Sequence, residues 1–544
     1  MCGYKNKSYV EKGSVGMRKR SEMTRFIYFS FAACLFISVI LSGCSKEPAI
    51  QEASKEPTNT GPTPGGTLKV IVLDNVTNLG YPAEQRVSSS LYFVQPVLET
   101  LGRYNDKAIM TPWLADSWQA DPQAKTLTFK LKSGIKFQDD TDFNAEAVKW
   151  NIEEYQKAKR PEVNGIQSMD VIDAHTLRLN LAQWDNNLLE SIAYYVKMAS
   201  PTAITKNGKD WAIKNPVGTG PFKLVSWERD ISVKFKKNEN YWQKGKPYLD
   251  GIEYSLIYDR NTAANAFKTG GGDVLTQMSA ETYLELEKTG KYVIRTNENI
   301  TGPLGVGLMF DSANPNSPFA DVKVRQAVMH AVDSKAIIGS VLRGMALATN
   351  QWNNASSQFY NPDVKGFAYD PEKAKQLLAE AGYPNGFKTK ITTDASRAEV
   401  MTAVQSYLAK VGIEVELVTV DAAKWSAMIA DKWDGMILFY RALAPNISIH
   451  MNRIISKDGS LYAKHIIHPD KVEQLLAEAR TATDAGASKK AVLELQKVIF
   501  DEYAIGFPLL SLVSGMAISP HVQNIDFDKT NAFDWNPEGV WLKK

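Results

Sequence analysis

The stretch 387-FKTKITTDASRAEVMTAVQSYLAKVGIEVELVTV-420 decides the fold class, because it combines two hydrophobic periods. Phe387–Thr393 and Ile413–Val420 are short runs rich in β-branched residues, and this pattern predicts strands. Arg397–Val411 lies between them and has the pattern of a helix. A strand, a helix and a second strand in this order form the crossover unit of a parallel sheet. The sequence therefore predicts an α/β fold.

The neighbouring segments extend this prediction along the chain. Asp370 followed by Pro371 predicts an N-cap and a first helical residue, and Gly382 predicts the end of the same helix. A second helix has apolar residues at helical spacing over Val324–Val332, with Asp321 as its cap. Further helices are predicted at Ala145–Tyr155, Pro469–Thr483 and Ser488–Tyr503, and further strands at Leu68–Leu73, Leu127–Leu131 and Leu177–Leu181.

The length of the chain predicts more than one folded domain. The chain has 544 residues, and a single hydrophobic core stops growing at roughly 250–300 residues. Apolar residues make up 44% and charged residues 23%, which is typical of a globular protein. We therefore expect two or three packed domains.

The N-terminal segment has the composition of an export signal. Four basic residues, Arg18, Lys19, Arg20 and Arg25, precede the apolar run Phe26–Leu41, which is shorter than the roughly 20 residues of a membrane span. The end of the run, Leu41-Ser42-Gly43-Cys44, resembles the bacterial lipobox, and the resemblance implies that Cys44 carries lipid. A plain signal peptide that ends in cysteine is the alternative. We expect a signal peptide over 1–44 and a flexible tether over 45–65, where Glu, Lys, Pro, Thr and Gly dominate.

Charge and cysteine content exclude several classes of function. Residues 1–44 carry seven of the basic and two of the acidic residues, so the remainder of this +3 chain has a net charge of −2. A basic surface for nucleic acid is therefore not expected. Beyond Cys2 and Cys34, Cys44 is the last cysteine, which excludes disulfides, thiol catalysis and zinc–cysteine sites in the folded part.

Several motifs follow one another in a fixed order along the chain. They are LADSW at 114–118, TLTFKLKSGIKF at 126–137, NPVGTGPF at 215–222, NENYW at 238–242, PYLD at 247–250, PFADVKVRQAVMHAVD at 318–333 and YDPEKAKQLLAEAGYPNGF at 369–387. Together they resemble the family 5 extracellular solute-binding proteins, the receptors of peptide, nickel and opine ABC importers. The resemblance covers nearly all of residues 65–544.

The resemblance implies a two-lobed periplasmic-binding-protein type II fold with a hinge between the lobes. Lobe 1 is expected to comprise 66–100, 217–300 and 508–544, with a subdomain, 101–216, inserted into it. Lobe 2 is expected to comprise 301–507. Ligand is then bound between the lobes, and closure buries it.

Two of these motifs have a structural interpretation. Gly218, Gly220 and Pro221 suit a tight turn where no side chain can intrude, although contact with a ligand's backbone is the alternative. Tyr241 and Trp242 are interpreted as an aromatic packing corner, with a surface for ligand as the alternative.

The segment Trp433–Ile454 carries the main expectation about ligand contacts. Peptide-binding relatives have an acidic segment here, whereas this chain reads FYRALAPN at 439–446 and has no acidic residue between Asp434 and Asp458. Arginine offers a fork of donors that suits a carboxylate. Arg441 and Asn446 also match the arginine and asparagine spacing of opine-type receptors. The alternative is that Arg441 pairs with a surface carboxylate and Asn446 caps a helix.

Other candidate contacts are less specific. Trp425, Trp433 and Tyr440 are expected either to line the cleft or to pack in the core. The resemblance also implies ligand contacts at Tyr81 and Arg160. No metal site is predicted, although two weak alternatives exist, at His450 and at the His465/His468 pair, where Pro469 disfavours the helix that chelation would need.

Function is predicted to be binding and not catalysis. The sequence contains no G-x-S-x-G, no H-E-x-x-H and no thiol nucleophile, so an exported hydrolase is the weaker alternative. No cofactor is expected. The expected partners are a small peptide or an anionic metal chelate, an ABC permease, and a membrane through the lipid anchor; the protein is expected to be a monomer. A signalling or chaperone-like receptor that binds peptide without transport remains a further alternative.

Overall fold

In the computed structural model, residues 61–544 form one compact unit. The structure describes these residues apart from 86–90, 106, 108, 297–303, 354, 356, 430–432, 443–445, 458, 460–461, 514 and 527–533, and apart from the side chains of 422, 423, 426, 441 and 442. The predicted signal peptide, Cys44 and most of the predicted tether lie outside the described residues.

Lobe 1 is built on a mixed sheet. Among the described residues its seven strands lie in the spatial order Val293–Thr296, Gly515–Ile518, Val274–Leu275, Thr67–Val72, Gly251–Leu256, Ser232–Lys237 and Phe222–Glu228. Thr67–Val72 is parallel to both Gly251–Leu256 and Val274–Leu275, so the C-terminal ends of these three strands share one edge of the sheet.

Lobe 2 contains a second mixed sheet. Its six described strands lie in the order Ala346–Ala348, Gly506–Leu512, Leu304–Phe310, Met436–Ala442, Phe387–Asp394 and Ile413–Val420. Phe387–Asp394 runs parallel to Ile413–Val420, in register from Phe387 opposite Ile413 to Asp394 opposite Val420. The helix Ala398–Ala409 joins these two strands, which confirms the predicted crossover unit.

The inserted subdomain has its own four-stranded antiparallel sheet. The strands lie in the order Ala115–Asp121, Thr126–Leu131, Thr176–Leu181 and Ile166–Asp173. Two short hairpins complete the described strands, Gly102–Tyr104 with Met110–Pro112, and Val522–Gln523 with Trp541–Leu542.

Helices cover these sheets. The described α-helices are Leu91–Val94, Ala145–Lys157, Leu188–Glu190, Pro201–Asn207, Lys209–Lys214, Arg260–Lys268, Ala280–Thr289, Val322–Ala331, Ser334–Ser340, Pro371–Glu380, Ala398–Ala409, Ala422–Met428, Ile447–Ile454, Asp470–Thr481 and Ala485–Lys497. As predicted, the Asp370 side chain accepts a hydrogen bond from the Lys373 amide, and the Asp321 side chain accepts one from the Lys323 amide. Within the described part of the chain, no helix has the length and apolar character that a membrane crossing requires.

The chain passes between the two sheets twice, and both passages lie at the same edge. The first leaves lobe 1 after Thr296 and enters lobe 2 at Leu304; the second leaves lobe 2 after Leu512 and re-enters lobe 1 at Gly515. The strand Gly506–Leu512 pairs within the lobe 2 sheet, so the second passage comes after Leu512, whereas the expected limit of lobe 2 was residue 507. The expectation for residues 508–512 is therefore wrong. These residues are apolar, and an apolar run does not indicate which of the two sheets it joins.

The glycines of the 215–222 motif are explained by close approach of two backbones. A Cβ atom on Gly218 would lie 2.1 Å from the carbonyl oxygen of Val97, and one on Gly220 would lie 2.6 Å from that of Pro96. The Gly220 amide donates to the Val97 carbonyl at 2.9 Å, which fixes this approach. Glycine is therefore required by packing at this junction.

A buried carboxylate, Glu99, joins the inserted subdomain to lobe 1. Glu99 is 1% exposed, and burial raises its pKa. Trp113, Tyr241 and Trp242 each donate to this carboxylate, at 2.7, 2.8 and 3.0 Å respectively. A buried charge needs several donors, and the two aromatic residues of the NENYW motif supply two of them. These rings are therefore part of a packing corner, as predicted.

Candidate ligand site

The two sheets direct their C-terminal strand ends at each other. In lobe 1 the edge that carries the ends of Thr67–Val72, Gly251–Leu256 and Val274–Leu275 also carries Gly515, where the chain arrives from lobe 2. In lobe 2 the edge at Leu512 also carries the ends of the strands that finish at Asp394 and Ala442. Ligands of α/β sheets bind outside the carboxyl ends of strands. The candidate site is therefore the cleft between these two edges.

On the lobe 1 side, two polar residues follow directly after parallel strands. Asp74 lies two residues beyond the strand Thr67–Val72, and Gln277 lies two residues beyond Val274–Leu275. The Gln277 side-chain amide donates a hydrogen bond to the Asp74 carboxylate. This bond fixes a negative charge on the lobe 1 edge.

On the lobe 2 side, a basic residue follows the strand Phe387–Asp394. A single 3-10 turn, Ala395–Arg397, places Arg397 immediately before the helix Ala398–Ala409. The guanidinium carbon of Arg397 lies 4.2 Å from the centroid of the Tyr440 ring. A guanidinium on an aromatic face is held by cation–π attraction, so Tyr440 positions Arg397.

The pKa of Tyr440 responds to charged side chains of both lobes. Burial raises the pKa of Tyr440; the nearby Arg397 guanidinium opposes that rise, and the charges of Asp394 and Asp74 add to it. Asp74 belongs to lobe 1 and Tyr440 to lobe 2, so the charge of one lobe is felt in the other. We call Asp74, Gln277, Asp394, Arg397 and Tyr440 the cleft edge.

The lobes also meet at the inserted subdomain, through buried polar groups. The Ser448 hydroxyl donates to the Asn187 side-chain oxygen at 2.5 Å, and the Asn446 amide donates to the same oxygen at 3.4 Å. All three side chains are buried. Glu190, one turn further along, is hydrogen-bonded with Asn446 and with Tyr104, and burial raises the pKa of Glu190 to about 7. We call Asn187, Glu190, Asn446 and Ser448 the subdomain contact.

A third set of bonds extends this contact outward. The Asn186 side chain donates to the carbonyl oxygens of Ala479 and Ala482, at 3.0 and 2.8 Å. Arg480 pairs with Asp185 at 3.1 Å, and both side chains are partly exposed. These bonds tie the loop before Leu188–Glu190 to the end of the helix Asp470–Thr481.

Two of the predicted contacts, Tyr81 and Arg160, lie together in lobe 1. Tyr81 is 8% exposed, and its hydroxyl donates to Glu154 on the helix Ala145–Lys157. Arg160 forms two 3.0 Å bonds to the Glu162 carboxylate and also donates to the Gln85 carbonyl. Their side chains are engaged within lobe 1, and their role toward a ligand stays a prediction.

The predicted aromatic residues of lobe 2 divide into core and cleft. Trp425 and Trp433 are 7% and 4% exposed, and their indole nitrogens donate to the carbonyls of Leu438 and Ile429. Both therefore belong to the lobe 2 core and not to the lining of the cleft. Tyr440 is only half-buried and packs on Arg397, which places it at the cleft edge.

The two residues of the opine-like spacing lie at the end of one strand and the start of the next helix. Arg441 pairs through its backbone with Gly305, and its side chain lies outside the described residues. The Asn446 side chain caps the helix Ile447–Ile454 by accepting from the Ser448 amide at 3.2 Å. The same side chain reaches Asn187, so Asn446 belongs to the subdomain contact, and ligand contact by either residue stays a prediction.

The histidines do not assemble a metal centre in the described part of the chain. The His465 ring lies 5.2 Å from the Trp433 ring at a tilt of 43°, and the Nε2 atom of His468 donates to the Ala463 carbonyl, 3.2 Å away. His450 lies in the helix Ile447–Ile454. No group of three or more His, Cys, Asp or Glu side chains with metal-binding geometry occurs among the described residues.

Asp74, Gln277 and Arg397 were not among the predicted site residues. Each follows the C-terminal end of a strand that has a parallel neighbour, and that position is a usable signal because ligands bind at such ends. The signal becomes readable only when the order and direction of the strands are known. Asn187 gave no comparable signal in the sequence.

Comparison with known proteins agrees with this architecture. The family described as "Bacterial extracellular solute-binding proteins, family 5 Middle" matches residues 110–448. The glutathione-binding protein GsiB of Shigella flexneri serotype 5b is 31% identical over 434 residues, which cover 76% of this chain and 82% of GsiB. GsiB of Escherichia coli K12 is 30% identical over 433 residues with the same coverage.

Solved structures share the fold over most of the chain. NikA from Brucella suis, in complex with Fe(III)-EDTA, superposes with a TM-score of 0.77 at 26% identity, over 88% of this chain and all of NikA. AgaA from A. tumefaciens R10, in complex with agropinic acid, gives 0.74 at 25% identity, over 88% and 99%. DppA from Helicobacter pylori, in complex with the peptide STSA, gives 0.74 at 24%, over 89% and 99%. The chain belongs to family 5 of the bacterial extracellular solute-binding proteins.

Proposed function

We propose that this chain is the receptor of an ABC importer, that it captures a peptide-like solute in the cleft, and that it delivers the solute to a membrane permease. The observation that carries the proposal is the opposition of two sets of strand ends at the two chain passages. A cleft of this kind presents polar groups from both lobes to one ligand, and closure of the lobes removes that ligand from water.

The ligand class rests on the relatives and on the cleft chemistry. GsiB binds glutathione, and the DppA structure holds a peptide. Both ligands offer amides and charged ends to a polar cleft. Asp74 and Arg397 supply opposite charges from the two lobes, which suits a small ligand that carries both signs.

A second candidate ligand is an anionic metal chelate or an opine. The NikA structure holds an iron chelate of this kind, and the AgaA structure holds agropinic acid. The observation in favour is Arg397, because a guanidinium at the cleft edge can pair with a ligand carboxylate. Asp74 opposes this candidate, because it would repel a ligand that carries negative charge alone.

The proposed anchor rests on the N-terminal sequence, and the proposed partner rests on the family. A lipid on Cys44 would hold the receptor at the membrane surface, and 45–65 would act as its tether. Stable attachment needs more than one acyl chain on the cysteine. We expect a monomer that docks on ABC permease subunits. The expected location is the outer face of the cell membrane.

A thermal-shift screen with calorimetric follow-up tests the proposal. Residues 61–544 are screened with tri-alanine, glutathione, octopine, and nickel with and without histidine. A ligand at 100 times its Kd stabilises the folded state by about 2.7 kcal/mol, which shifts the melting temperature by a few degrees. Binding of tri-alanine or glutathione supports the peptide-like ligand. Binding of octopine or the nickel complex alone would replace it with the second candidate.

A further inference from the structure

We propose that an open face of the lobe 1 sheet rests on the anionic lipid headgroups of the membrane that holds the anchor. The face carries Lys69, Lys223, Lys234 and Lys236, and we call these four residues the lysine face. The inference rests on the proposed lipid anchor at Cys44 and not on the identity of the solute. It adds an orientation to the anchored receptor: lobe 1 lies on the membrane, and the cleft stays open to ligand.

Strand register places the four lysines on one side of the sheet. Lys236 lies directly opposite Lys223 on the neighbouring strand. Two residues before Lys236, Lys234 lies opposite Glu253, and Lys69 lies opposite the same Glu253 from the other side. Side chains of opposite residues, and of residues two apart on one strand, point to the same side of a sheet. The four lysines therefore share one face with the carboxylate of Glu253.

The lysine face is open to solvent at one end of the sheet. Two of its four residues are exposed and two are half-buried. Two residues beyond Lys69, Ile71 is buried in one cluster with Phe267 of the helix Arg260–Lys268. This helix therefore covers the far part of the face, and the near part, at the start of the strand Thr67–Val72, stays uncovered.

The charges of the lysine face are only partly compensated. Lys234 pairs with Glu253 at 3.0 Å, and the Lys223 ammonium group donates to a backbone carbonyl at 3.2 Å. Within the described part of the chain, Lys69, Lys223 and Lys236 form no ion pair. Like charges directly opposite each other destabilise a sheet, so the pair of Lys223 and Lys236 gains from an anion outside the protein.

A pocket beside the face can take one headgroup. Its volume is about 360 Å³, within the range of small-molecule sites, and its charged lining residues are Lys223, Lys236, Lys237, Glu239 and Asp250. The Asp250 carboxylate accepts from the Gly66 amide at 2.8 Å, and the Glu239 side chain is 80% exposed. Three lysines against two carboxylates leave a positive balance, which suits a headgroup that carries phosphate.

The anchored segment joins the folded part beside this face. The Gly65 amide donates to the Tyr248 carbonyl at 2.8 Å, and the Thr63 hydroxyl donates to the Leu542 carbonyl at 2.7 Å. These bonds fix the chain at the start of the first lobe 1 strand. Residues 45–64 separate Cys44 from Gly65, and a flexible chain of that length spans about 25 Å on average. A lipid on Cys44 therefore keeps the lysine face within reach of the headgroups.

The extent of the lysine face favours a lipid surface over a single small anion. The face crosses four neighbouring strands, which at their usual spacing cover about 14 Å. One small anion cannot contact lysines at both ends of such a row, whereas a layer of headgroups can. The cleft lies beyond the opposite, C-terminal ends of Thr67–Val72 and Gly251–Leu256, so membrane contact leaves it free.

Partitioning onto lipid vesicles tests the proposal. Residues 61–544 are mixed with phosphatidylcholine vesicles, either pure or with about 30% phosphatidylglycerol, and the bound fraction is measured by sedimentation. The wild type is expected to bind the anionic vesicles at least about 25-fold more strongly at low salt, since each lysine at an anionic surface contributes roughly fivefold. A rise to about 0.5 M NaCl should remove the difference, because salt screens exposed charges.

Three variants separate the lysine face from charge in general. Lys223→Gln/Lys236→Gln should weaken binding to anionic vesicles by about 25-fold. Glu253→Gln removes the carboxylate of the face and should strengthen binding by about fivefold, a gain that a folding defect cannot produce. Lys489→Gln/Lys490→Gln is the matched control, because both lysines are exposed on the helix Ala485–Lys497 of lobe 2. It should bind as the wild type does.

The outcomes distinguish this inference from the proposed function. Equal binding to both kinds of vesicle overturns the inference, and so does an equal loss in the two double variants. Release of the protein by millimolar glycerol 3-phosphate would also overturn it, because a single small anion would then be the occupant. Calorimetry with tri-alanine and glutathione should give equal affinities for the wild type and Lys223→Gln/Lys236→Gln. Binding of neither peptide by either protein would contradict the peptide-like ligand and leave the lipid result standing.

Discussion

The cleft edge and the subdomain contact are both places where the lobes face each other, yet their chemistry differs. At the cleft edge, opposite charges stand on the two lobes, and a buried donor of Arg397 has no partner among the described residues. At the subdomain contact, Asn187, Asn446 and Ser448 are buried and bond one another directly.

The difference suggests a division of roles. Groups that satisfy one another across an interface stabilise one arrangement of the lobes, whatever the ligand is. A group that lacks a partner gains one only when a suitable ligand binds, so it sets which ligand is accepted. We therefore expect the subdomain contact to control closure and the cleft edge to control selectivity.

The largest effect is expected from Glu190, which tests whether the subdomain contact is neutral. The folded-state pKa of Glu190 is about 7, above its ordinary value of 4.5, because of burial. Its contribution to stability is then fully present below pH 4.5 and is lost as the pH rises toward 7. Relative to Glu190→Gln, the wild type should lose about 2–3 kcal/mol of unfolding free energy between pH 4.5 and 7.5.

Urea unfolding of both proteins at several pH values measures this difference. Glu239→Gln serves as the control, because the Glu239 side chain is 80% exposed. Its difference from the wild type gives the background for the comparison. A difference between Glu190→Gln and the wild type that does not change with pH would mean that Glu190 is ionised in the fold, and the subdomain contact would then not be neutral.

A smaller effect is expected from Asn187→Ala, which breaks the subdomain contact directly. The change removes the acceptor that the Ser448 hydroxyl and the Asn446 amide share across the interface, while the hydroxyl keeps the Asn446 side-chain oxygen as an acceptor at 2.7 Å. The lost hydrogen bonds are worth about 1–3 kcal/mol together. If these bonds form only when the lobes close, affinity should fall by roughly tenfold for every ligand. Calorimetry with tri-alanine and tri-alanine amide gives, for each ligand, the ratio of the wild-type affinity to the affinity of the variant. A loss confined to one of these ligands would speak against a role in closure.

The smallest effect is expected from Arg480→Gln. Arg480 pairs with Asp185 at the partly exposed rim of the interface, where an ion pair contributes up to about 1 kcal/mol. Affinity should fall less than fivefold, and the loss should shrink in 0.5 M NaCl because salt screens exposed charges. A loss of affinity as large as that of Asn187→Ala would mean that the Arg480–Asp185 pair, and not the subdomain contact, controls closure.

The sequence was sufficient for the elements and the general topology, because these depend on local pattern. The hydrophobic pattern of residues 387–420 predicts two parallel strands and a helix. Both strands lie within one residue of their predicted limits. The cap at Asp370 depended on the same kind of short-range chemistry. The order of motifs then implied the two lobes.

The pairing of residues across the cleft was beyond the reach of such patterns. Asp74 and Arg397 are more than 300 positions apart, and Asn187 and Ser448 are separated by 261. Their proximity depends on strand direction, on register and on how the lobes meet. The aromatic residues show the same limit: Trp425 and Tyr440 look equivalent in sequence, but the first packs in the core and the second holds Arg397.

The most direct test of this division of roles is one ratio, the affinity for tri-alanine divided by the affinity for its amide. It is measured by calorimetry in the wild type, Asn187→Ala, Arg397→Gln and the double variant. The account predicts that the ratio is unchanged in Asn187→Ala and falls to about one in both proteins that lack Arg397. A ratio that falls in Asn187→Ala, or that persists without Arg397, would contradict it.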